Sequence, residues 1–296
     1  MLKKIKYKNV VWIDLQNPGE EETLQLATEY DLPTLSREEL VSLNSRSVAE
    51  CRDHGFFLSL PFPTGRSGET KINFVIGCDF LITAHHQPVQ PLLEFAQILD
   101  GGDYGRKKEE DFQVGHLFYY MIRKLYGPTE TALEDLNEEL KQAEATIGAG
   151  DEAAAIKPLA AIGQRLTAIG WSLKFHPEIL RSLVGDDFGG ETFRRQARAV
   201  VSQAEHLTEL WHRHRATLKE LRSTNQSLLL LKQVQATRHL TILGIIFLPL
   251  SLIGLVFSMS GAEAVIRDGR GWVGVLLLMI VAAIVAVTLT KRQKWI

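Results

Sequence analysis

Residues 240–262 read LTILGIIFLPLSLIGLVFSMSGA and residues 271–290 read GWVGVLLLMIVAAIVAVTLT, and neither stretch contains a charged side chain. At about 1.5 Å per residue, each is long enough as an α-helix to cross a hydrocarbon core of about 30 Å. Only residues 263–270 separate the two stretches. The pair predicts a transmembrane hairpin, and it favours membrane transport as the function.

Basic residues flank the predicted hairpin on its outer sides. The five outer residues are Lys232, Arg238, Lys291, Arg292 and Lys294, whereas the intervening loop has only Arg267 and Arg270. Because loops rich in Lys and Arg stay on the cytoplasmic side, this asymmetry predicts that both termini are cytoplasmic. We therefore expect a multi-pass protein of the inner (cell) membrane, with the lipid bilayer as a partner.

The overall composition argues against several other classes of protein. The formal net charge of −2 indicates no basic surface, so nucleic acid is not an expected partner. Cys51 and Cys78 are the only cysteines, too few for a Cys-x-x-Cys zinc site, and in the cytoplasm they are expected to be free thiols. No apolar core follows the basic first residues, so no signal peptide is expected.

No pattern in the chain predicts an enzyme. The sequence has no Walker loop, no nucleophile elbow and no HExxH helix. Cys51 and His54 are close in sequence, but no third catalytic group or oxyanion donor accompanies them. We therefore expect no catalytic residues and no permanently bound cofactor.

The residues that precede the spans divide into two parts. Over 1–110 a short apolar run ends at the turn signal Asn17-Pro18-Gly19, a helical pattern follows, and further short strands are predicted after residue 55. This alternation predicts a cytoplasmic α/β domain. Residues 111–190 are predicted to be mainly helical, with one helix starting at a Thr129 N-cap and another at Asp151.

The longest pattern begins at Glu191. From there to Met259 the sequence has one proline and no glycine before Gly244, which predicts one continuous helix on the order of 100 Å long. Its apolar stripe needs neighbours, either the preceding helices or copies from other subunits. The predicted fold class is α+β: an N-terminal α/β cytoplasmic domain, a long helical stalk and two C-terminal transmembrane helices. The remaining predicted boundaries are a stalk at 191–239, a first transmembrane helix at 240–262, an outer loop at 263–270, a second transmembrane helix at 271–290 and a basic cytoplasmic tail at 291–296.

These features together resemble the CorA family of divalent-metal transporters, which includes ZntB-like members. The segment LTILGIIFLPLSLI at 240–253 resembles the first transmembrane helix of that family. KRQKWI at 291–296 resembles its basic ending, and WIDLQNP at 12–18 resembles its opening strand and turn. The resemblance implies a homopentamer that transports a divalent cation (magnesium, or zinc, cobalt or nickel), with the first span lining the pore and the second facing lipid. It also implies a funnel of cytoplasmic domains, of which residues 111–190 would be the helical part.

The resemblance also assigns candidate pore residues. The Gly-Met-Asn signature of the family falls on Ser258, Met259 and Ser260, which become the expected selectivity filter. Leu240 and Leu248 match a hydrophobic constriction that would gate by dewetting. The expected pore-lining and gate residues are Val234, Thr237, Leu240, Gly244, Leu248, Ser251 and Phe257. No residue set is assigned to a resident metal ion.

Three departures from the family pattern bear on ion selectivity and regulation. A serine hydroxyl at 260 is shorter than an asparagine amide and a poorer acceptor, so the filter is a wider, weaker ring for hydrated magnesium. Val234 stands where the family has a polar asparagine. Arg195 and Arg198 stand where the family has acids that hold regulatory metal, and arginine repels a divalent cation.

The sequence leaves three questions open. Ser258 and Ser260 line a pore in one interpretation and bond back to the preceding turn of their own helix in the other. The histidines are either structural or zinc ligands, although His206 and His212 are not at the i, i+4 spacing of a helix-borne pair. The other histidines considered are His85, His86, His214 and His239. Finally, the alternative to transport is a CorA-derived membrane scaffold or regulator with little or no conduction.

Overall fold

The chain folds into two compact units in a computed structural model. The structure describes residues 2–32, 40, 49–52, 55–64, 68–101, 112–185, 190–258 and 270–292. The first unit is Met1–Arg222 and the second is Ser223–Ile296. The predicted N-terminal α/β part lies in the first unit.

A six-stranded mixed sheet forms the centre of the first unit. Its strands are β1 (Leu2–Tyr7), β2 (Val10–Gln16), β3 (Ala49–Arg52), β4 (Gly55–Thr64), β5 (Gly68–Ile76) and β6 (Phe80–His85). The strand order is β1-β2-β6-β5-β4-β3. All neighbours are antiparallel except β2 and β6, which pair in parallel with Ile13 opposite Ile82.

Burial follows the position of each strand in the sheet. All six residues of β6 are buried, as expected for a strand covered on both faces. β1 lies at one edge and carries Lys3, Lys4 and Lys6, and only Ile5 of this strand is buried. The sequence LKKIKY therefore matches an outer strand, whereas FLITAH matches an inner one.

Seven helices accompany the sheet in the described part of the chain. They are α1 (Glu20–Glu29), α2 (Gln90–Asp100), α3 (Val114–Gly148), α4 (Glu152–Leu173), α5 (His176–Ser182), α6 (Gly190–Ser258) and α7 (Arg270–Arg292). The prediction of one continuous helix from Glu191 is confirmed, because α6 contains 69 residues. Asp151 begins α4 as predicted, and its carboxylate accepts a hydrogen bond from the Ala154 backbone at 3.2 Å.

Both faces of the sheet are covered by apolar side chains. On one face, Trp12 contacts Phe95 of α2 with ring centroids 5.5 Å apart. On the same face, Phe74 contacts Phe118 of α3 edge-on, with ring centroids 5.8 Å apart. On the other face, a cluster that includes Ile13 packs with Leu26 of α1. The alternation of side chains along β2 separates Trp12 from Ile13.

The predicted helix start at Thr129 is wrong. α3 continues through Gly127 and Pro128, and Thr129 is buried within it. Pro128 has no N–H to bond to the Lys124 carbonyl, and its ring crowds that carbonyl. Tyr126 and Leu133 are fully buried on either side, so packing of the helix outweighs the lost hydrogen bond.

Candidate functional site

The second half of α6 carries a row of residues with alternating spacings of three and four. The row is Val234, Thr237, Thr241, Gly244, Leu248, Ser251, Leu255 and Ser258, all within one helix. These are the a and d positions of a heptad repeat, so they share one face of the helix. Threonine, glycine and serine occupy the d positions. Leu240 and Phe257 do not belong to this row, although the sequence analysis assigned both to the pore lining together with residues of the row.

Large apolar side chains of the heptad row are highly exposed among the described residues. Val234 is 57% exposed and Leu248 is 71% exposed. Leu240, beside the row, is 70% exposed. Large apolar side chains with this much exposure need lipid or another protein surface. Gly244 also has open space around it, because an added Cβ would meet nothing within 4 Å.

The described hydroxyl groups of the row are satisfied within the helix. Thr237 donates to the Gln233 carbonyl at 3.0 Å, and Thr241 donates to the Thr237 carbonyl at 2.9 Å. Ser251 donates to the Phe247 carbonyl at 2.7 Å. This bonding to the preceding turn removes the cost of placing a hydroxyl in an apolar environment. Each oxygen retains lone pairs that can accept a further hydrogen bond.

Pro249 lies inside the apolar part of α6 without ending the helix. It has no N–H, so the Ile245 carbonyl has no partner from the usual i+4 position. Membrane helices tolerate proline where neighbouring groups compensate for the lost bond.

Among the described residues, α6 contains an apolar stretch of 18 residues, which is long enough to cross a membrane. A shorter apolar segment, Leu276–Val285, lies in α7. Within that segment Leu277 is 58% exposed and Ile284 is 56% exposed. α7 therefore also presents uncovered apolar surface.

The predicted filter lies at the edge of the described structure. Ser258 is the last residue of α6, and Met259 and Ser260 lie outside the described residues. The outer loop is likewise outside them up to residue 269. The assignment of the filter therefore remains a prediction from the sequence.

The arginines expected to replace regulatory acids lie in the first turns of α6. Arg198 is exposed, and its guanidinium lies 3.7 Å from the Glu191 carboxylate. Arg195 is also exposed. Within the described residues, no group of three or more His, Cys, Asp or Glu side chains is arranged to hold a metal ion.

The histidines occupy separate environments. His206, His212 and His239 are exposed on α6. His214 is buried, and its pKa is lowered by burial and, to a smaller extent, by the charge of Arg213. No described residue bonds to its Nδ1 atom. Along α6, these side chains do not converge on one another.

His85 belongs to a polar cluster where the parallel strands β2 and β6 end. Its Nε2 atom lies 3.3 Å from the Asp14 carboxylate, and its Nδ1 atom lies 2.6 Å from the Gln87 carbonyl. Thr83 donates to Asp14 at 2.5 Å and accepts from the Trp12 indole at 2.9 Å. The sequence analysis missed this cluster. Its only local signal was an acid, Asp14, within an otherwise apolar strand.

A second buried cluster joins three elements of the first unit. His176 of α5 contacts the Tyr126 hydroxyl of α3 at 2.7 Å and the Pro61 carbonyl of β4 at 2.7 Å. Burial lowers the pKa of His176 to about 4, against a smaller opposing effect of the bond to Pro61. Burial also raises the pKa of Tyr126. Both clusters connect secondary structure elements of the first unit, and their side chains are buried.

Known proteins share the architecture described above. A sequence model described as the CorA-like Mg2+ transporter protein matches residues 7–292. No curated protein sequence matches the chain significantly. The full-length CorA magnesium transporter from Methanocaldococcus jannaschii has a TM-score of 0.79 at 18% identity, covering 100% of this chain and 95% of that chain.

Two further solved structures share the fold. The full-length CmaX protein has a TM-score of 0.71 at 14% identity, covering 97% of this chain and 89% of that chain. The ZntB cytoplasmic domain from Vibrio parahaemolyticus has a TM-score of 0.55 at 17% identity, covering 74% of this chain and 88% of that chain. At these identities the structures establish the fold, whereas the family match spans nearly the whole sequence. The chain therefore belongs to the CorA-like Mg2+ transporter family, whose members are membrane transporters of divalent cations and not enzymes.

Proposed function

We propose that this chain conducts a divalent metal cation through a homopentameric pore lined by the heptad row of α6. The observation that carries the proposal is the row itself: an uncharged face with small residues at Thr237, Gly244 and Ser251, on one helix that continues from the first unit. Small residues at an interval of seven allow membrane helices to approach closely, and a heptad repeat favours a left-handed bundle. In this arrangement α7 lies outside the ring and faces lipid.

The proposed membrane orientation rests on the charge asymmetry around the spans. The first unit, the stalk at 191–239 and the tail at 291–296 lie on the cytoplasmic side in this proposal, and the loop at 263–270 lies outside. The same division assigns 240–262 and 271–290 to the membrane. It leaves 1–110 and 111–190 as the two parts of the cytoplasmic funnel.

The proposed permeation path has an outer filter and an apolar gate. Ser258, Met259 and Ser260 form the outer mouth, where five copies give a ring of hydroxyl groups. Hydroxyls accept hydrogen bonds from a hydrated ion but lack the reach of an amide carbonyl. We therefore expect the ring to admit hydrated magnesium, zinc, cobalt and nickel with little discrimination. Leu248 forms the apolar gate on the row, with Leu240 beside it.

The test is ion flux into liposomes that contain the purified full-length protein. Magnesium, zinc, cobalt and nickel are supplied separately, and protein-free liposomes serve as the control. We expect uptake of more than one of these ions by pentameric protein. Pentamers that carry none of the four ions would overturn the transport proposal.

A scaffold or regulator with little or no conduction is the second candidate. Two observations favour it: the Thr237 and Ser251 hydroxyls donate to their own helix, and Val234 puts an exposed apolar side chain on the row. A ring of Val234 side chains would hinder hydrated ions, because an apolar constriction favours dewetting. Normal pentamer assembly without flux would support this candidate over transport.

A further inference from the structure

The first unit contains two places where a side chain of α6 enters the surface of α4 at a glycine. At Gly170, the indole of Trp211 occupies the space that a side chain would take, so that an added Cβ would lie within 3.0 Å of the ring. The indole nitrogen donates to the Leu166 carbonyl at 2.6 Å. Leu166 is four residues before Gly170, and its carbonyl already accepts the helical N–H of that glycine. The missing side chain thus gives the indole access to a helix carbonyl.

The second place repeats this arrangement at Gly163. Here the guanidinium of Arg222 fills the space beside the glycine, again within 3.0 Å of an added Cβ. It donates to the Leu159 carbonyl at 2.8 Å. Leu159 is four residues before Gly163, as Leu166 is before Gly170. We call the two arrangements the glycine notches of α4.

The spacing of the notches ties them to one alignment of the two helices. Seven residues separate the glycines on α4, about 10 Å, whereas eleven separate Trp211 and Arg222 on α6, about 16 Å. An extended arginine pointing toward the N-terminus of its helix covers the difference, since helical side chains lean in that direction. A shift of α6 by one turn, about 5.4 Å, would therefore take both donors away from their carbonyls.

We propose that the two glycine notches lock the register of α6 on α4, so that these helices move as one body up to Arg222. This is a conformational device of the first unit and it holds whether or not the chain conducts. If the proposed function is correct, the lock also fixes the helix whose continuation lines the pore. Movements that open the pore would then start after Arg222.

The two notches should respond differently to an added methyl group. Trp211 is a rigid ring, so Gly170→Ala forces the helices apart or the ring out of its place. Arg222 is flexible, so Gly163→Ala displaces the guanidinium and costs mainly its hydrogen bond. We expect Gly170→Ala to lower the thermal unfolding midpoint of the full-length protein by about 3 °C or more, and Gly163→Ala to lower it less.

A double-mutant cycle provides the decisive test. When Trp211→Ala empties the notch, Gly170→Ala should change sign and become stabilising, because alanine favours a helix over glycine. Likewise, Gly163→Ala should cost nothing further in an Arg222→Met background. Gly148→Ala is the matched control, since Gly148 is helical and has nothing within 4 Å of an added Cβ. It should not destabilise the protein in either background.

Hydrogen exchange of the full-length protein adds a readout of register that does not depend on the midpoint. Gly170→Ala and Trp211→Phe should each raise exchange in both α4 and residues 205–222 of α6, and Gly148→Ala should not. If Gly170→Ala changes the unfolding midpoint and the hydrogen exchange equally in the parent and in the Trp211→Ala background, the proposed register lock is refuted. Ion flux is measured in a separate experiment. The double-mutant cycle can therefore be interpreted even if the protein does not conduct ions.

Discussion

The Nε2 atom of His176 lies 2.7 Å from the carbonyl oxygen of Pro61, a residue 115 positions earlier in the chain. A carbonyl can only accept, so the imidazole carries its proton on Nε2 and accepts the Tyr126 hydroxyl proton on Nδ1. The neutral ring thus satisfies both neighbours. A second proton on the ring would leave the hydroxyl without its acceptor and would place a charge in the core.

The first prediction concerns acid sensitivity. The folded-state pKa of His176 is lowered to about 4, so the unfolded state binds more protons between that value and about 6.5. Its contribution to stability is therefore present above pH 6.5 and is lost as the pH falls toward 4. The full effect is on the order of 3 kcal/mol. Unfolding midpoints measured from pH 7.5 to 4 should fall for the parent protein.

A His176→Gln variant should show a shallower dependence on pH over that range, at the cost of lower stability at pH 7.5. His206→Gln is the control, because His206 is exposed on α6. It should retain the pH dependence of the parent. Equal slopes for the parent and His176→Gln would contradict the assignment.

The second prediction concerns assembly through the heptad row. Gly244→Val adds an isopropyl group at a d position, where the proposed bundle brings helices close together. Pentamers should be lost or should dissociate at a lower detergent concentration, as measured by the mass of the complex in mild detergent. Gly254→Val is the matched control. Both glycines lie in α6 with nothing within 4 Å of an added Cβ, but Gly254 is off the row. Equal effects of the two variants would argue against the row as the contact.

The third prediction concerns ion preference at the outer mouth. The double variant Ser258→Gly with Ser260→Asn supplies amide oxygens and removes a Cβ at the end of the helix. We expect it to raise the preference for magnesium over cobalt and nickel about threefold or more, a difference of about 0.7 kcal/mol. The measurement is competitive uptake into liposomes, with the pentamer content matched to the parent. Unchanged flux and preference in a normally assembled variant would remove these residues from the filter.

The fourth prediction concerns regulation by magnesium. Arg195 and Arg198 are exposed at the start of α6, where they repel a divalent cation. Millimolar magnesium should therefore slow proteolysis of the first unit by less than about twofold, as expected when the ion stays below its dissociation constant. Arg195→Asp with Arg198→Asp should increase this protection. Strong, saturable protection of the parent would show that a magnesium site exists elsewhere.

The sequence predicted the features that depend on local patterns. The continuous α6 follows from a sequence with no glycine between Glu191 and Gly244 and with Pro249 as its one proline, and the cap at Asp151 follows from the turn before it. The helix start expected at Thr129 was wrong, because the buried Tyr126 and Leu133 hold α3 together across Gly127 and Pro128. Long-range partners were not accessible from the sequence. The pairing of β2 with β6 and the contact of Trp211 with Gly170 join residues that are far apart in the chain.

The candidate pore residues divide in a similar way. Thr237, Gly244, Leu248 and Ser251 were assigned through a resemblance, and the helix brings them onto one face. Leu240 and Phe257 each precede a member of the row, Thr241 or Ser258, by one residue. Each is therefore turned by about 100° around the helix from that neighbour. Met259 and Ser260 remain predictions.

The two edges of the sheet restrict how copies of this chain can meet. β1 presents three lysines along its length, and β3 has only four residues. Charged or very short outer strands resist the addition of a strand from another molecule. Copies of the chain should therefore not join by extending one sheet into the next. The contacts that hold an assembly together are then expected outside the strand edges, and a failed assembly should be a dispersed monomer more readily than a fibre.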